Sequence, residues 1–188
     1  MILKSYYPKD RKAWRKWLEK NHAISPGIWL IYYKKNSGKS RVEYNDAVEE
    51  ALCFGWIDST MRPLDEISYI QRFSPRKPKS VWSALNKKRI EKLSGDGLMA
   101  PAGLEKIEIA KKNGSWISID HVENLEIPAD LAKVFAKNKK AWKGFQSFKK
   151  FRKKQMLYRL GSAKLPETRK IRIEQIITAC KENQSSTP

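Results

Sequence analysis

The chain has 188 residues and a mass of 21.9 kDa, enough for one ordinary domain or two small lobes and too little for a multidomain machine. Hydrophobic residues make up 40% and charged residues 31%, with seven Trp, seven Tyr and six Phe, so a packed core is expected and wholesale disorder is disfavoured. Thirty-nine Lys and Arg against twenty Asp and Glu give a net charge of +19, which favours acidic partners without identifying a reaction.

Trp14, Trp17 and Leu18 recur at helical spacing within Asp10 to Asn21, and Asp10 is placed to cap that helix. After the Ser25-Pro26-Gly27 breaker, Ile28 to Tyr33 reads as a buried strand closed by Asn36-Ser37-Gly38. Ala47, Val48, Ala51 and Leu52 mark a helix from Tyr44 to Phe54, with Asn45 as its cap and Gly55 as its terminator. A strand over Trp56 to Ser59 follows, then an alternating stretch from Ile67 to Phe73 that Ser74-Pro75-Arg76-Lys77-Pro78 closes.

Beyond that point the pattern is helical. Ser80 is placed to cap a helix containing Val81, Trp82, Leu85, Ile90 and Leu93, and Pro101 opens another that Gly114 ends. His121, after Asp120, is expected in a loop. Pro128 begins a helix through Leu131, Val134 and Phe135, and Ala141, Trp142, Phe145, Met156, Leu157 and Leu160 continue the theme toward Gly161. The last helix starts at Pro166 and carries Ile173, Ile176, Ile177 and Cys180 on one stripe. The fold class is therefore α+β: a small sheet with helices over residues 1–120, then a basic helical region over 121–182 packed on it, with a frayed tail over 183–188.

Cys53 and Cys180 lie far apart in apolar helical patterns, and with His22 and His121 they make neither a C-x-x-C nor an H-E-x-x-H spacing. No disulfide framework, metal site or cofactor is expected. Gly95-Asp96-Gly97 lacks the Lys and Ser/Thr of a phosphate loop, and no nucleophile elbow or triad is present, which disfavours hydrolase chemistry. The amino-terminal residues lack the apolar stretch of a signal peptide, and no run is long enough to span a membrane, so a cytoplasmic location is expected.

The charge is concentrated. Between Lys133 and Arg172, fifteen basic residues face one acid, Glu167, a local charge of +14. These cations can simply solvate the outer faces of helices whose inner faces hold Trp142, Phe145, Phe148, Phe151 and Leu157. Alternatively they form a polyanion footprint in which Lys149, Lys150, Arg152, Lys153 and Lys154 take phosphates; Phe148, Phe151 and Tyr158 are then core or stacking platforms, core being the expected role. Without a helix-turn-helix, zinc-finger, RRM or KH signature, binding to nucleic acid would be mainly electrostatic. The opposite island, Glu43 to Glu66, holds seven acids against Arg62 and is expected to pair within the molecule or across a dimer; the sequence does not set the oligomeric state.

The segment from Glu50 through Phe54-Gly55-Trp56-Ile57-Asp58-Ser59, followed by Arg72-Phe73-Ser74-Pro75-Arg76, Ser80-Val81-Trp82-Ser83, Asn86 and Arg89, resembles the YdeI/OmpD-associated, or bacteriocin-protection, family. Gly97, Met99, Pro101, Gly103, Gly114-Ser115-Trp116, Ser162-Ala163-Lys164, Glu167-Thr168-Arg169 and Arg172-Ile173 extend the likeness over nearly the whole chain, and Leu165 departs from it. The resemblance implies an association with tolerance of bacteriocins and of envelope stress, and no established reaction or catalytic residues.

Read physically, Asp58 at the end of a buried strand needs a partner, and Arg72 or Arg76 is the natural one. That pair is either a structural ion pair or part of a pocket in which Arg72, Arg76 and Arg89 grip a small anion, with Trp82 as a wall and Asn86 orienting it. Acid/base catalysis by Asp58 is the least favoured use. The overall expectation is a cytoplasmic, non-enzymatic, stress-associated protein that binds an acidic macromolecule, nucleic acid being one candidate; the alternative is an enzyme or ligand-binding protein built on the Asp58 pocket.

Overall fold

A computed structural model describes residues 3–182, and the tail expected over 183–188 lies outside them. The chain divides into two compact units between Ser118 and Ile119. It is α+β, with the sheet in the first unit and helices alone in the second.

The first unit is built on four strands, β1 (Ser5–Tyr6), β2 (Ile28–Tyr33), β3 (Trp56–Pro63) and β4 (Ser68–Pro75), in the order β1-β2-β4-β3. Only the β1–β2 pair is parallel. Along β2 the buried residues alternate as Ile28, Leu30 and Tyr32, and their cross-strand partners on β4 are Phe73, Gln71 and Tyr69, so those six share the core face. Trp29 pairs with Arg72 on the opposite face, where Arg62 stacks on the Trp29 ring at 4.3 Å. A register shift between Asp58 and Met61 puts a bulge in β3.

Helix α1 (Arg11–Asn21) starts where Asp10 accepts a 2.7 Å bond from the Ala13 amide. Its Trp14 is fully buried, donates from Nε1 to the Ala47 carbonyl at 3.0 Å and meets Phe73 at 5.5 Å between ring centroids. Helix α2 (Tyr44–Cys53) is preceded by Glu43 with no side-chain cap; Asn45, expected as the cap, lies inside the first turn and accepts from Arg89. Gly55, at φ +72°, makes the reversal into β3.

Helix α3 (Ala84–Gly95) begins three residues later than the spacing of its apolar residues predicts, because Ser83 and not Ser80 caps it, bonding the Asn86 amide. Ser80 instead accepts from the Lys77 amide, and Trp82, buried to 2% exposure in front of the helix, anchors that segment in the core. Helix α4 (Pro101–Lys112) packs on α2 through Gly103: a Cβ there would lie 2.2 Å from the Cys53 carbonyl oxygen.

The second unit comprises α5 (Asp120–Glu123), α6 (Ala129–Ala136), α7 (Lys139–Ser147), α8 (Lys150–Gly161) and α9 (Pro166–Glu182). His121, expected in a loop, lies in α5. Leu131, Phe135, Phe145, Leu157, Leu160 and Ile176 fill a core separate from that of the first unit. Gly144 of α7 lets the helix touch α9, since a Cβ would sit 1.9 Å from the Cys180 carbonyl oxygen. A forked ion pair from Arg169 to Asp130, at 2.5 and 2.9 Å, joins α9 to α6. Among the described residues no helix is long and apolar enough to cross a membrane.

Candidate functional site

In the first unit, Asp58 lies opposite Phe73 on the core side of the sheet. Its Oδ2 accepts from Gln71 Nε2 at 2.8 Å and from the Tyr44 hydroxyl at 3.2 Å, so an amide and a phenol take the place of the expected arginine. The reason is strand alternation. Arg72, one residue from Gln71 and Phe73, projects from the opposite face and is exposed, which removes it from the predicted pocket.

Arg76 sits just past β4, only 3% exposed, with its guanidinium carbon 3.5 Å from the centroid of the Trp82 ring. Its Nη1 donates to the Val81 carbonyl at 3.0 Å, while Nε and Nη2 are buried with no hydrogen-bond partner. Burial pulls its pKa down to about 10, and the Asp58 charge opposes that shift without reaching ion-pair distance. Arg89 spans Asn86 Oδ1 at 3.0 Å and Asn45 Oδ1 at 2.7 Å, tying α3 to α2. Burial raises the Tyr44 hydroxyl, with Asp58 adding to the shift and Arg89 opposing it, which places both charges within its electrostatic reach.

Asp58, Arg76, Trp82, Asn86 and Arg89 thus fall into three separate contacts, Asp58 with Gln71 and Tyr44, Arg76 with Trp82, and Arg89 with Asn86 and Asn45. Sequence reasoning missed Tyr44 and Gln71, the two groups that hold Asp58; Gln71, 2% exposed, was legible as an inward position between Tyr69 and Phe73. The acidic island is largely satisfied within its own unit. Arg11 bonds Asp46, Glu49 and Glu50, Arg15 adds a second bond to the buried Glu50 at 2.7 Å, and Arg41 takes Glu43. These bonds raise the Arg11 pKa against the opposing effect of burial.

In the second unit, the five cations Lys149, Lys150, Arg152, Lys153 and Lys154 do not form one surface, because neighbouring helix residues point about 100° apart. Lys154 is drawn to Glu123 of α5. Lys153 donates to the Gln146 carbonyl at 2.8 Å and lies over the Phe145 ring, whereas Arg152 donates from Nη1 to Gln155 at 2.7 Å on another side of α8. Of the fifteen cations between Lys133 and Arg172, Lys154 and Arg169 enter carboxylate ion pairs among the described residues.

The rings also depart from expectation. Phe148 is core, but Phe151 is 77% and Tyr158 48% exposed. Positions 151, 155 and 158 fall on one stripe of α8, away from the buried Met156, Leu157 and Leu160. Helical geometry sets Arg152 and Arg159 along one flank of that stripe and Lys150 and Lys154 along the other. The result is an exposed aromatic strip edged by cations.

Residues 6–106 match the model of a family described as a domain of unknown function, DUF8412, which covers more than half of the chain. Residues 124–183 match the model described as Bacteriocin-protection, YdeI or OmpD-Associated. No curated protein and no solved structure matches the chain.

Proposed function

The chain belongs to the DUF8412 family and carries a YdeI/OmpD-associated segment in its second unit, and from that premise we propose that it is a cytoplasmic, non-enzymatic protein that binds single-stranded nucleic acid through α8. One observation carries the reading: Phe151 and Tyr158 stand exposed on the same helical stripe with cations on both flanks. Large exposed rings are costly to leave in water, and every unpaired base offers a π-face on which to stack, while Lys and Arg take the phosphates. Two carboxylates of this unit, Glu123 and Asp130, are already engaged by Lys154 and Arg169. A duplex, whose bases are already stacked, gains less from the rings.

The word bacteriocin-protection in the family description supports a role in stress tolerance, which binding of nucleic acid would serve inside the cell. A second reading, a small anion held near Arg76, is supported by its two unpartnered nitrogens; both are sealed in the interior, so the α8 strip is the better supported site.

Fluorescence anisotropy with a labelled single-stranded oligonucleotide tests the proposal on the full chain. The Phe151→Ala, Tyr158→Ala double variant should bind at least about tenfold more weakly, since each stacked base contributes roughly 1–3 kcal/mol. Its melting temperature should hardly move, because both rings are exposed. Undiminished affinity would contradict the reading.

A further inference from the structure

Beside the aromatic strip, α8 and α9 enclose a cleft of about 190 Å³ lined by Arg152, Gln155 and Arg159 of α8 and by Arg172 and Gln175 of α9, over an apolar floor. We propose that this cleft is a binding site for a dianionic phosphate monoester. The inference rests on the α8 reading only for the source of the phosphate, not for the site itself.

Arg152, Arg159 and Arg172 line one cleft, and no Asp or Glu lines it. Like charges near one another without a lining counter-charge repel, and an anion entering the cleft relieves that repulsion. Two of these arginines are also held in place. Arg172 is anchored through Nη1 to the Arg159 carbonyl and to Ser162 Oγ, the latter at 3.0 Å, which leaves the rest of its planar fork for a ligand. Arg152 donates from Nη1 to Gln155 Oε1, and its Nε is a buried donor with no partner. Gln155 and Gln175 add neutral donors.

The chemistry selects phosphate over carboxylate. One arginine satisfies a carboxylate through two parallel bonds, whereas three arginines lining one cleft suit a tetrahedral group that carries close to two charges and three terminal oxygens. The space is several times the share of about 30 Å³ that one water takes up in the liquid, so a phosphate fits with the first atoms of what it esterifies. Because the cleft adjoins the strip that carries Tyr158, the phosphate has two sources: a free monoester, or the 5′-terminal phosphate of a strand whose bases lie on the rings.

The test uses the full chain, with inorganic phosphate as the first probe and a matched pair of 5′-phosphorylated and 5′-hydroxyl oligonucleotides as the second. Calorimetric titration of phosphate should show binding that Arg159→Gln weakens about tenfold or more, as does Arg172→Gln, while Lys140→Gln on α7, an exposed cation outside the cleft, leaves it unchanged. Arg159 is exposed, so a melting curve should find Arg159→Gln folded. If the 5′-phosphate also strengthens oligonucleotide binding and Arg159→Gln abolishes that gain, the strand end is the source; if phosphate binds but the 5′-phosphate adds nothing, the site takes free monoesters. Either result supports the site. No phosphate binding, or equal losses in all three variants as a general charge effect would give, overturns it. The Phe151→Ala, Tyr158→Ala variant separates the two proposals: it should lose the 5′-hydroxyl oligonucleotide and keep inorganic phosphate.

Discussion

Single side chains set most of the chemistry available to this protein. Phe151 and Tyr158 are exposed where their neighbours Phe148 and Leu157 are buried, a difference of one helical face that decides between core and contact surface. That distinction was not legible from composition, since aromatic residues among lysines read equally well as either; the phase of α8, fixed by Met156, Leu157 and Leu160, resolves it. Cys53 and Cys180 make the opposite case. Their apolar stripes mark both as packing residues, and both are free and buried, with burial pushing each thiol up to about 11. Iodoacetamide at pH 8 should therefore leave both unmodified in the folded protein and label both in denaturant, and rapid labelling under native conditions would contradict the packing. The same shifts set a sign. A thiol raised from its ordinary value of 9 binds its proton more tightly when folded, so its contribution is intact below about pH 9 and is lost as the pH climbs toward 11.

At the scale of elements, each unit contains one close helix contact made by a glycine against the carbonyl of a cysteine. Gly103 meets Cys53 in the first unit, and Gly144 meets Cys180 in the second. An added methyl at either position would collide with backbone, which cannot swing aside as a side chain can. Gly144→Ala should destabilise the second unit by roughly 1–3 kcal/mol in chemical denaturation, despite the better helix propensity of alanine. A neutral or stabilising result would mean that α7 and α9 do not approach as described. The contrast with element boundaries is instructive. The strand Ile28–Tyr33 and the opening of α4 at Pro101 could be read directly, because β-branched runs and proline act locally. The start of α3 could not, because Ser80 and Ser83 are equivalent by spacing, and the choice falls to Trp82, whose burial is a tertiary fact. The Asp58 site failed for a similar reason. Arg72 and Gln71 are one residue apart, and only the register against β2 shows which of them faces the carboxylate.

For the molecule as a whole, the net charge of +19 is not spread evenly. The first unit meets its acidic island with its own arginines, above all at Glu50, which is 2% exposed between Arg11 and Arg15. In the second unit Lys154 and Arg169 are the cations that meet carboxylates among the described residues, while Arg152, Arg159 and Arg172 gather around a cleft without one. The concentration of charge after Lys133 was visible in the sequence; that three arginines from two helices line one cleft was not, because Arg159 and Arg172 are thirteen residues apart and come together only when α8 and α9 pack. The central claim, that these cations take the phosphates of a strand lying along α8, is tested most directly by the salt dependence of oligonucleotide binding. With Lys150 taking one phosphate and the Arg152, Arg159 and Arg172 cleft together taking a second, log K against log salt should fall with a slope of about −1.4, and an Arg152→Gln, Arg159→Gln variant should flatten it to about −0.7. A slope near zero, or one that the variant leaves unchanged, would contradict the account.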